Sequence, residues 1–329
     1  MQLVINSFGS YLYVKESCFA LKVEDKRTKI SPKKVSSILI ATKASLSVDA
    51  INLALKNNIE IQFLDEYGQP GGKIWHSKLG STTAIRRRQL EITETKKGTE
   101  IVKDFMLTKL ENMVSHLKDL CQRRDPKKME NVKEYIDNIK KFTKKIDLTA
   151  GTIDDVRNLL MSYEGNAGRN YFKALSYLVP ERYSFSGRSF RPAKDEFNCL
   201  INYGYGVLYS KVEKACLIAG LDPYIGILHT DNYNKTSFVF DVIEQYRHLI
   251  DRLVMKLLGQ KKVNKSYFDE IPGGITLNEE GRKFFIKNIN NYFDEMVSHN
   301  NRSMKRDNII QADMHRLANS LIEKIEEDQ

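Results

Sequence analysis

The sequence predicts an α+β protein: a small β-sandwich-like unit over residues 1–78, followed by an all-α unit over 79–329. Short runs rich in β-branched and aromatic residues crowd the first 76 positions and then stop. From Thr83 onward, apolar residues recur at helical spacing instead. The two patterns meet at Lys78-Leu79-Gly80-Ser81, a turn-forming stretch.

Within the first unit, QLVINSF, YLYVKES, CFALKVE, SSILIA and IEIQFLD read as strands. Phe8-Gly9-Ser10 is suited to turning a first hairpin, and Tyr67-Gly68-Gln69-Pro70-Gly71-Gly72 is a strong turn signal. One helix, VDAINLALKNN, follows Ser47, whose hydroxyl is a fitting N-cap acceptor. Nothing in this unit has the look of a catalytic site. In the second unit, turn signals stand at Arg124-Asp125-Pro126, Pro180, Arg191-Pro192 and Pro272-Gly273-Gly274, and the final EKIEEDQ is expected to fray.

The composition narrows the function classes. A chain of 329 residues is long enough for two domains, and 41% hydrophobic with 29% charged residues is ordinary for a soluble globular protein. No apolar run approaches the roughly 18 residues of a membrane span, and the opening MQLVINSFGSYLYV lacks the basic start of a signal peptide. Cys18, Cys121, Cys199 and Cys216 are scattered without a CxxC pair, which speaks against a zinc ribbon and fits a reducing cytoplasm. The net charge of +10 makes a polyanion a reasonable partner, nucleic acid first. Residues 86–145 concentrate that excess, with 17 Lys and Arg against 10 Asp and Glu. The run opens on Arg86-Arg87-Arg88. It reads either as solvated helix faces or as a surface that tracks phosphates without reading sequence.

Two regions carry candidate chemistry. In 152–178, Thr152 and Asp155 have capping-box spacing, and small residues at 165, 167 and 168 would let a backbone approach closely. Glu164 is expected to open a second helix there, where a carboxylate can simply complement the helix dipole. The other region is 226–254. Ser237 is an expected N-cap, and Val242, Ile243, Tyr246, Leu249, Ile250, Leu253 and Val254 form an apolar stripe. Asp241, Glu244, His248 and Asp251 share another face, which is ordinarily solvated. His229 closes the apolar run GIL and is either a core histidine or a ligand. Taken together, one imidazole and two carboxylates make a mixed nitrogen–oxygen set that suits Mg²⁺ or Mn²⁺. Next to a basic surface, such a set points to phosphodiester chemistry. The loop 182–194 interleaves Arg182, Arg188, Arg191 and Lys194 with Tyr183, Phe185 and Phe190. That pattern suits a single-stranded DNA end, or else aromatics packed on the helices below.

YEGNAGRNYF at 163–172, RPAKDEFNCLINYGYGVLY at 191–209, GILH at 226–229 and SFVFDVIEQYR at 237–247 together resemble CRISPR-associated protein one, the universal integrase of CRISPR adaptation. The resemblance spans nearly the whole chain. It implies a β-sandwich joined to an all-helical catalytic domain, and a homodimer that clamps onto CRISPR-associated protein two; the free edges of a small sandwich make the first unit the expected dimerisation contact. It also implies metal-dependent cleavage and strand transfer on double-stranded DNA, with Mg²⁺ or Mn²⁺ as the cofactor. By position, Glu164, His229 and Glu244 would be metal ligands and Asp241 a further acid beside the metal. Two departures stand out: His248 where proline is common, and Ala167-Gly168 where a pair of alanines is commoner. DNA contacts are expected at Arg86, Arg87, Arg88, Arg169, Arg182, Arg188, Arg191 and Arg247. The expected reaction is attack of a donor 3′-hydroxyl on a repeat phosphodiester. The alternatives are a stand-alone nuclease on branched DNA and a non-catalytic DNA-binding scaffold.

Overall fold

The structure is a computed structural model that describes residues 2–35, 37–64, 70–74, 82–122, 126–230, 235–299 and 302–322. The chain divides into two compact units, Met1–Leu79 and Gly80–Gln329. The linking stretch at Lys78–Ser81, the tight part of the Tyr67 turn, the Arg124-Asp125 turn and the EKIEEDQ tail lie outside the described residues.

The first unit runs β1 (Gln2–Ile5), β2 (Tyr11–Lys15), β3 (Cys18–Val23), β4 (Lys26–Ile30), β5 (Ser37–Ile40), β6 (Ser45–Leu46), α1 (Val48–Lys56), β7 (Glu60–Leu64) and β8 (Pro70–Ile74). Two four-stranded sheets result, ordered β1-β5-β7-β8 and β4-β3-β2-β6. In the first, β1 and β7 flank β5 in parallel, with Leu3 opposite Ile38 and Ile38 opposite Ile61. The central β5 is buried on both faces at Ile38, Leu39 and Ile40, as a parallel strand requires. Leu3, Ile5, Leu12, Phe19, Ile38, Ile40, Ala50, Ala54 and Ile61 form one core from both sheets and α1. Ser47 caps α1 as expected, accepting from the Ala50 N–H at 3.1 Å. Gly9, at φ +71°, does not turn a hairpin: β1 and β2 lie in different sheets, so the turn carries the chain from one sheet to the other. The first hairpin instead joins β2 to β3 through Glu16 and Ser17, both at positive φ (50° and 57°).

The second unit contains α2 (Thr82–Ile92), α3 (Lys96–Gln122), α4 (Pro126–Asp147), α5 (Ile153–Leu178), α6 (Glu196–Ala219), α7 (Ser237–Ile243) and α8 (Arg247–Gly259). After these come β9 (Phe268–Ile271), β10 (Gly274–Leu277), α9 (Glu279–Asp294), β11 (Met296–His299), β12 (Arg302–Lys305) and α10 (Arg306–Ile322). It is therefore not all-α. Two antiparallel hairpins, β9-β10 and β11-β12, interrupt the helices, the first turning at Pro272-Gly273-Gly274. Phe268 and Ile275 of that hairpin pack onto the helical core.

Residues 153–178 also depart from expectation. They form one 26-residue helix, α5, and Glu164 lies in its middle, not at a start. The capping box holds: the Asp155 carboxylate accepts from the Thr152 N–H at 3.1 Å and from its hydroxyl at 2.6 Å. Glycines at 165 and 168 cost a helix about 1 kcal/mol each, but a buried face of Val156, Leu160, Ala167, Tyr171, Ala174, Leu175 and Leu178 outweighs that. Nothing lies within 4 Å of a Cβ built at Gly165 or Gly168, so these glycines leave open space and only Ala167 is packed tight.

Close approach occurs instead on α6. A Cβ at Gly204 would stand 2.4 Å from Ile250 Cγ2 of α8, whereas one at Gly206 meets nothing within 4 Å. The two positions form a controlled pair on one helix. Gly204→Ala should destabilise by about 1–3 kcal/mol through overpacking. Gly206→Ala should be neutral or stabilise by about 0.5–1 kcal/mol. Urea unfolding of both variants checks this; equal effects would mean that α6 and α8 do not cross at Gly204.

Candidate active site

Three helices bring charged side chains to one place. Glu164 comes from the middle of α5, Lys109 from the middle of α3, and Glu244 from the single 3₁₀ turn (Glu244–Tyr246) between α7 and α8. The Lys109 ammonium bonds both carboxylates, Oε1 of Glu164 and Oε2 of Glu244. The other Glu244 oxygen accepts from Arg247 Nη2 at 2.8 Å. Burial works against charge on Glu244, yet Arg247 and Lys109 hold its carboxyl down to about 2. Burial likewise opposes the Lys109 ammonium, and Glu244 and Glu164 overcome it, raising its pKa. Beside this cluster is a cavity of about 240 Å³, lined by Lys109, Glu164, Gly168, Arg188, Glu244 and Arg247 among others.

His229 arrives on a loop that is pinned from several sides. Asp241, buried on α7, accepts the N–H groups of Ile227 (2.7 Å), Leu228 (3.1 Å) and His229 (3.0 Å). The same carboxylate accepts from the His229 ring Nδ1 at 2.6 Å. From the opposite side, Arg157 of α5 donates to the carbonyls of Ile227 (3.2 Å) and Leu228. Upstream, the fully buried Gln89 of α2 donates to the carbonyls of Asp222 (2.9 Å) and Ile225 (3.1 Å) and accepts the Asp222 N–H at 2.8 Å. A Cβ on Gly226 would lie 2.3 Å from the His229 carbonyl oxygen, so only glycine lets this loop close. The hydrogen bond that the ring donates to Asp241 raises the pKa of His229 against burial, and Glu244 and Glu164 add to the rise.

The acids predicted to share one solvated face are not solvated. Asp241 and Asp251 are 3% and 2% exposed. Both Asp241 oxygens are taken by the loop, which fits a positioning acid rather than a ligand. Asp251 accepts from Tyr171 at 3.0 Å and Tyr205 at 2.6 Å, and Tyr171 accepts from His116 Nδ1 at 2.7 Å. His248 donates from Nδ1 to the Gln245 carbonyl at 3.0 Å, and burial keeps it neutral, with its pKa lowered to about 4. Proline is also tolerated at that spot, the first turn of α8. Ser237 is the first residue of α7 rather than its cap, and its hydroxyl donates to the Thr230 carbonyl at 3.0 Å.

The arginines expected on DNA divide into two groups. Arg87, Arg169, Arg182 and Arg191 have exposed side chains, and Arg88 is exposed while pairing with Glu91. Arg86, by contrast, pairs with Asp222 at 3.6 Å. Arg188 donates to Asn198 and Asn202 and stands over the rings of Phe172, Phe190 and Tyr205. Arg247 is held by Glu244 and the Tyr205 ring. In the loop 182–194, Tyr183 and Phe185 are buried, Phe185 stacking on Phe197 at 4.0 Å, and Phe190 remains 63% exposed. On α4, Lys140, Lys141, Lys144 and Lys145 are exposed.

Glu164 and Glu244 are thus brought together, and His229 stands within electrostatic reach of both. Among the described residues, no three His, Cys, Asp or Glu side chains stand at metal-ligand spacing, and the Lys109 ammonium lies between the two carboxylates. Sequence reasoning missed Lys109, Arg157 and Gln89. Each is one polar residue among many on its helix, and only the fold reveals its partners.

These features define a two-unit α+β protein whose helical unit carries a half-buried carboxylate–ammonium–imidazole site. Residues 3–291 match the family described as CRISPR associated protein Cas1, and the chain belongs to that family. CRISPR-associated endonuclease Cas1 1 of Archaeoglobus fulgidus is 32% identical over 94% of this chain and 93% of its own length. A Cas1 protein structure from Thermotoga maritima is similar over 99% of this chain and 98% of that one, at 27% identity and a TM-score of 0.82. A casposase bound to integration product shares the fold over 99% of this chain and 92% of that one, at 24% identity and a TM-score of 0.83. No helix among the described residues is long and apolar enough to cross a membrane.

If Asp241 orients the imidazole, Asp241→Asn should lower the His229 pKa and weaken the loop by about 1.5–3 kcal/mol. Histidine ring NMR with thermal melts reads both, and an unmoved His229 titration would remove Asp241 from that role. A second outcome concerns Asp251, whose carboxyl is raised by burial from 3.8 to about 6, against the lowering effect of its two tyrosine hydrogen bonds. A raised folded pKa means that its ionisation costs stability as pH climbs from about 4 to about 6, on the order of 2–3 kcal/mol. Asp251→Asn should therefore gain stability relative to wild type across that window, read from urea midpoints at several pH values. A wild-type-minus-variant difference constant with pH would refute the buried-charge account.

Proposed function

We propose that this chain is a metal-dependent DNA endonuclease and integrase of CRISPR spacer acquisition, joining donor 3′-hydroxyl ends to a repeat array. The observation that carries the reading is the convergence of Glu164 and Glu244, from separate helices, on one cationic head beside the His229 loop. Membership of the Cas1 family supports it, and so does the fold shared with a casposase bound to integration product.

The donor set fits Mg²⁺ or Mn²⁺. Two carboxylates already meet on a single cation, and His229, with Nδ1 engaged by Asp241, keeps Nε2 as an acceptor. Glu164, Glu244 and His229 would hold the ion, which would supply charge neutralisation at the phosphate and activation of the attacking oxygen. Asp241, Arg157 and Gln89 keep His229 in place by fixing its loop. Arg247 keeps the Glu244 carboxylate ionised and oriented. Strand transfer forms one phosphodiester P–O bond as another breaks. The number of phosphodiesters is conserved, so no external energy source is needed, and the proton of the 3′-hydroxyl ends on the released hydroxyl.

Duplex DNA as substrate, CRISPR-associated protein two as partner and a homodimer belong to the same reading. A donor duplex has two ends to join and each chain has one site, so two copies are required. The exposed lysines of α4 and the exposed Arg87, Arg88, Arg169, Arg182 and Arg191 supply positive charge for sequence-blind phosphate contacts.

Glu164→Gln, Glu244→Gln and His229→Ala should each lower strand transfer at least about a hundredfold while DNA binding persists. A supercoiled repeat plasmid with labelled donor and Mn²⁺ or Mg²⁺ measures this. Clipped plasmid without joined donor would favour the nuclease acting alone, and joining that survives all three substitutions would leave a DNA-binding scaffold with its chemistry elsewhere.

A further inference from the structure

A lysine stands at the centre of the site. Lys109 is 7% exposed, and its ammonium bonds both Glu164 and Glu244. Arg247 takes the remaining Glu244 oxygen, so two acids are matched by two cations before any metal arrives. A divalent ion placed between the carboxylates would stand against the ammonium and lose the two acids as free ligands. For the ion to bind, Lys109 must swing away from the two carboxylates, and another anion that takes its ammonium offsets the cost of losing both partners.

The adjoining cavity supplies the place. Its lining includes Lys109, Arg188 and Arg247 alongside Glu164, Glu244 and Asp251, and the missing side chain of Gly168 leaves open space there. A phosphodiester entering there would meet three cationic groups. We propose that Lys109 is a resident counter-cation that yields the two carboxylates to a divalent ion when a DNA phosphate enters the cavity and takes its ammonium. Metal and DNA binding are then positively coupled, and by linkage each tightens the other. The metal-free protein keeps its two acids neutralised, and a site without DNA stays largely unloaded. This rests on the reading of Glu164 and Glu244 as metal ligands.

The test is Mn²⁺ binding followed by EPR, with and without a duplex oligonucleotide whose 3′ ends are dideoxy and cannot react. Wild type should bind Mn²⁺ at least about tenfold more tightly with the duplex than without it. Lys109→Gln should bind Mn²⁺ without DNA at least about tenfold more tightly than wild type, and should gain less from the duplex. Lys109→Arg keeps the cation and should remain weak without DNA. Glu164→Gln, measured alongside, identifies the signal from this site. Equal wild-type affinity with and without the duplex overturns the proposal, and that arm needs no variant to fold. So does a folded Lys109→Gln that binds no more tightly than wild type. In both cases an Mn²⁺ signal sensitive to Glu164→Gln leaves the metal reading standing. No Glu164-dependent signal in any sample removes the metal reading and the proposal together.

Discussion

The bridge from Lys109 to Glu164 and Glu244 is the contact on which the helical unit is arranged. It ties α3, α5 and the α7–α8 junction at one buried point. Two carboxylates held this close would repel each other, and the ammonium placed between them offsets that repulsion. A buried ion cluster is weak evidence for stability, because well-packed apolar side chains of similar volume often hold a fold as well. Its presence against a largely apolar core is therefore better explained by what the acids do than by what they stabilise.

The His229 loop follows the same logic one layer out. A loop is ordinarily the least certain place for a functional group, because its backbone lacks the internal hydrogen bonds of a helix. Here Asp241 accepts three consecutive N–H groups, Arg157 two consecutive carbonyls, and Gln89 secures the preceding turn. The loop thus gains the hydrogen-bond saturation of regular structure while placing an imidazole where a helix could not. Gly226 is the steric condition for it, since any side chain there would collide with the His229 carbonyl.

Much of the first unit was legible because its core strands carry β-branched residues at short spacing. The exceptions are instructive. β4, KRTKI, has almost no apolar residues and is exposed along most of its length; it is a strand only because β3 offers it a partner. The β9-β10 and β11-β12 hairpins were lost within a helical pattern because each strand is only four residues long. Glu164 was identified but misplaced, since glycines at 165 and 168 look like a break. Propensity gave way to the tertiary packing of α5 against α3 and α4. The proposed ligands were readable because they sit in recognisable strings. Lys109 and Arg157 were not, because a single basic residue in a charged helix carries no signal until its partners, 55 or more positions away, are known.

The mid-helix position of Glu164 has a physical consequence. At a helix end, its charge would have been stabilised by the dipole and its backbone left to fray. In the middle of a 26-residue helix buried along one face, the dipole contributes little, and the carboxylate depends on Lys109 for compensation. Glu244 shows the complementary arrangement. The 3₁₀ turn at Glu244–Tyr246 interrupts α7 and α8, so that Glu244 is aimed at Lys109 while Tyr246 is buried and bonds Asp313 of α10 at 2.9 Å. One acid is therefore fixed by a rigid rod and the other by a deliberate break in one. The cation between them is carried on a lysine stem with four rotatable bonds, the one partner able to move without disturbing either helix.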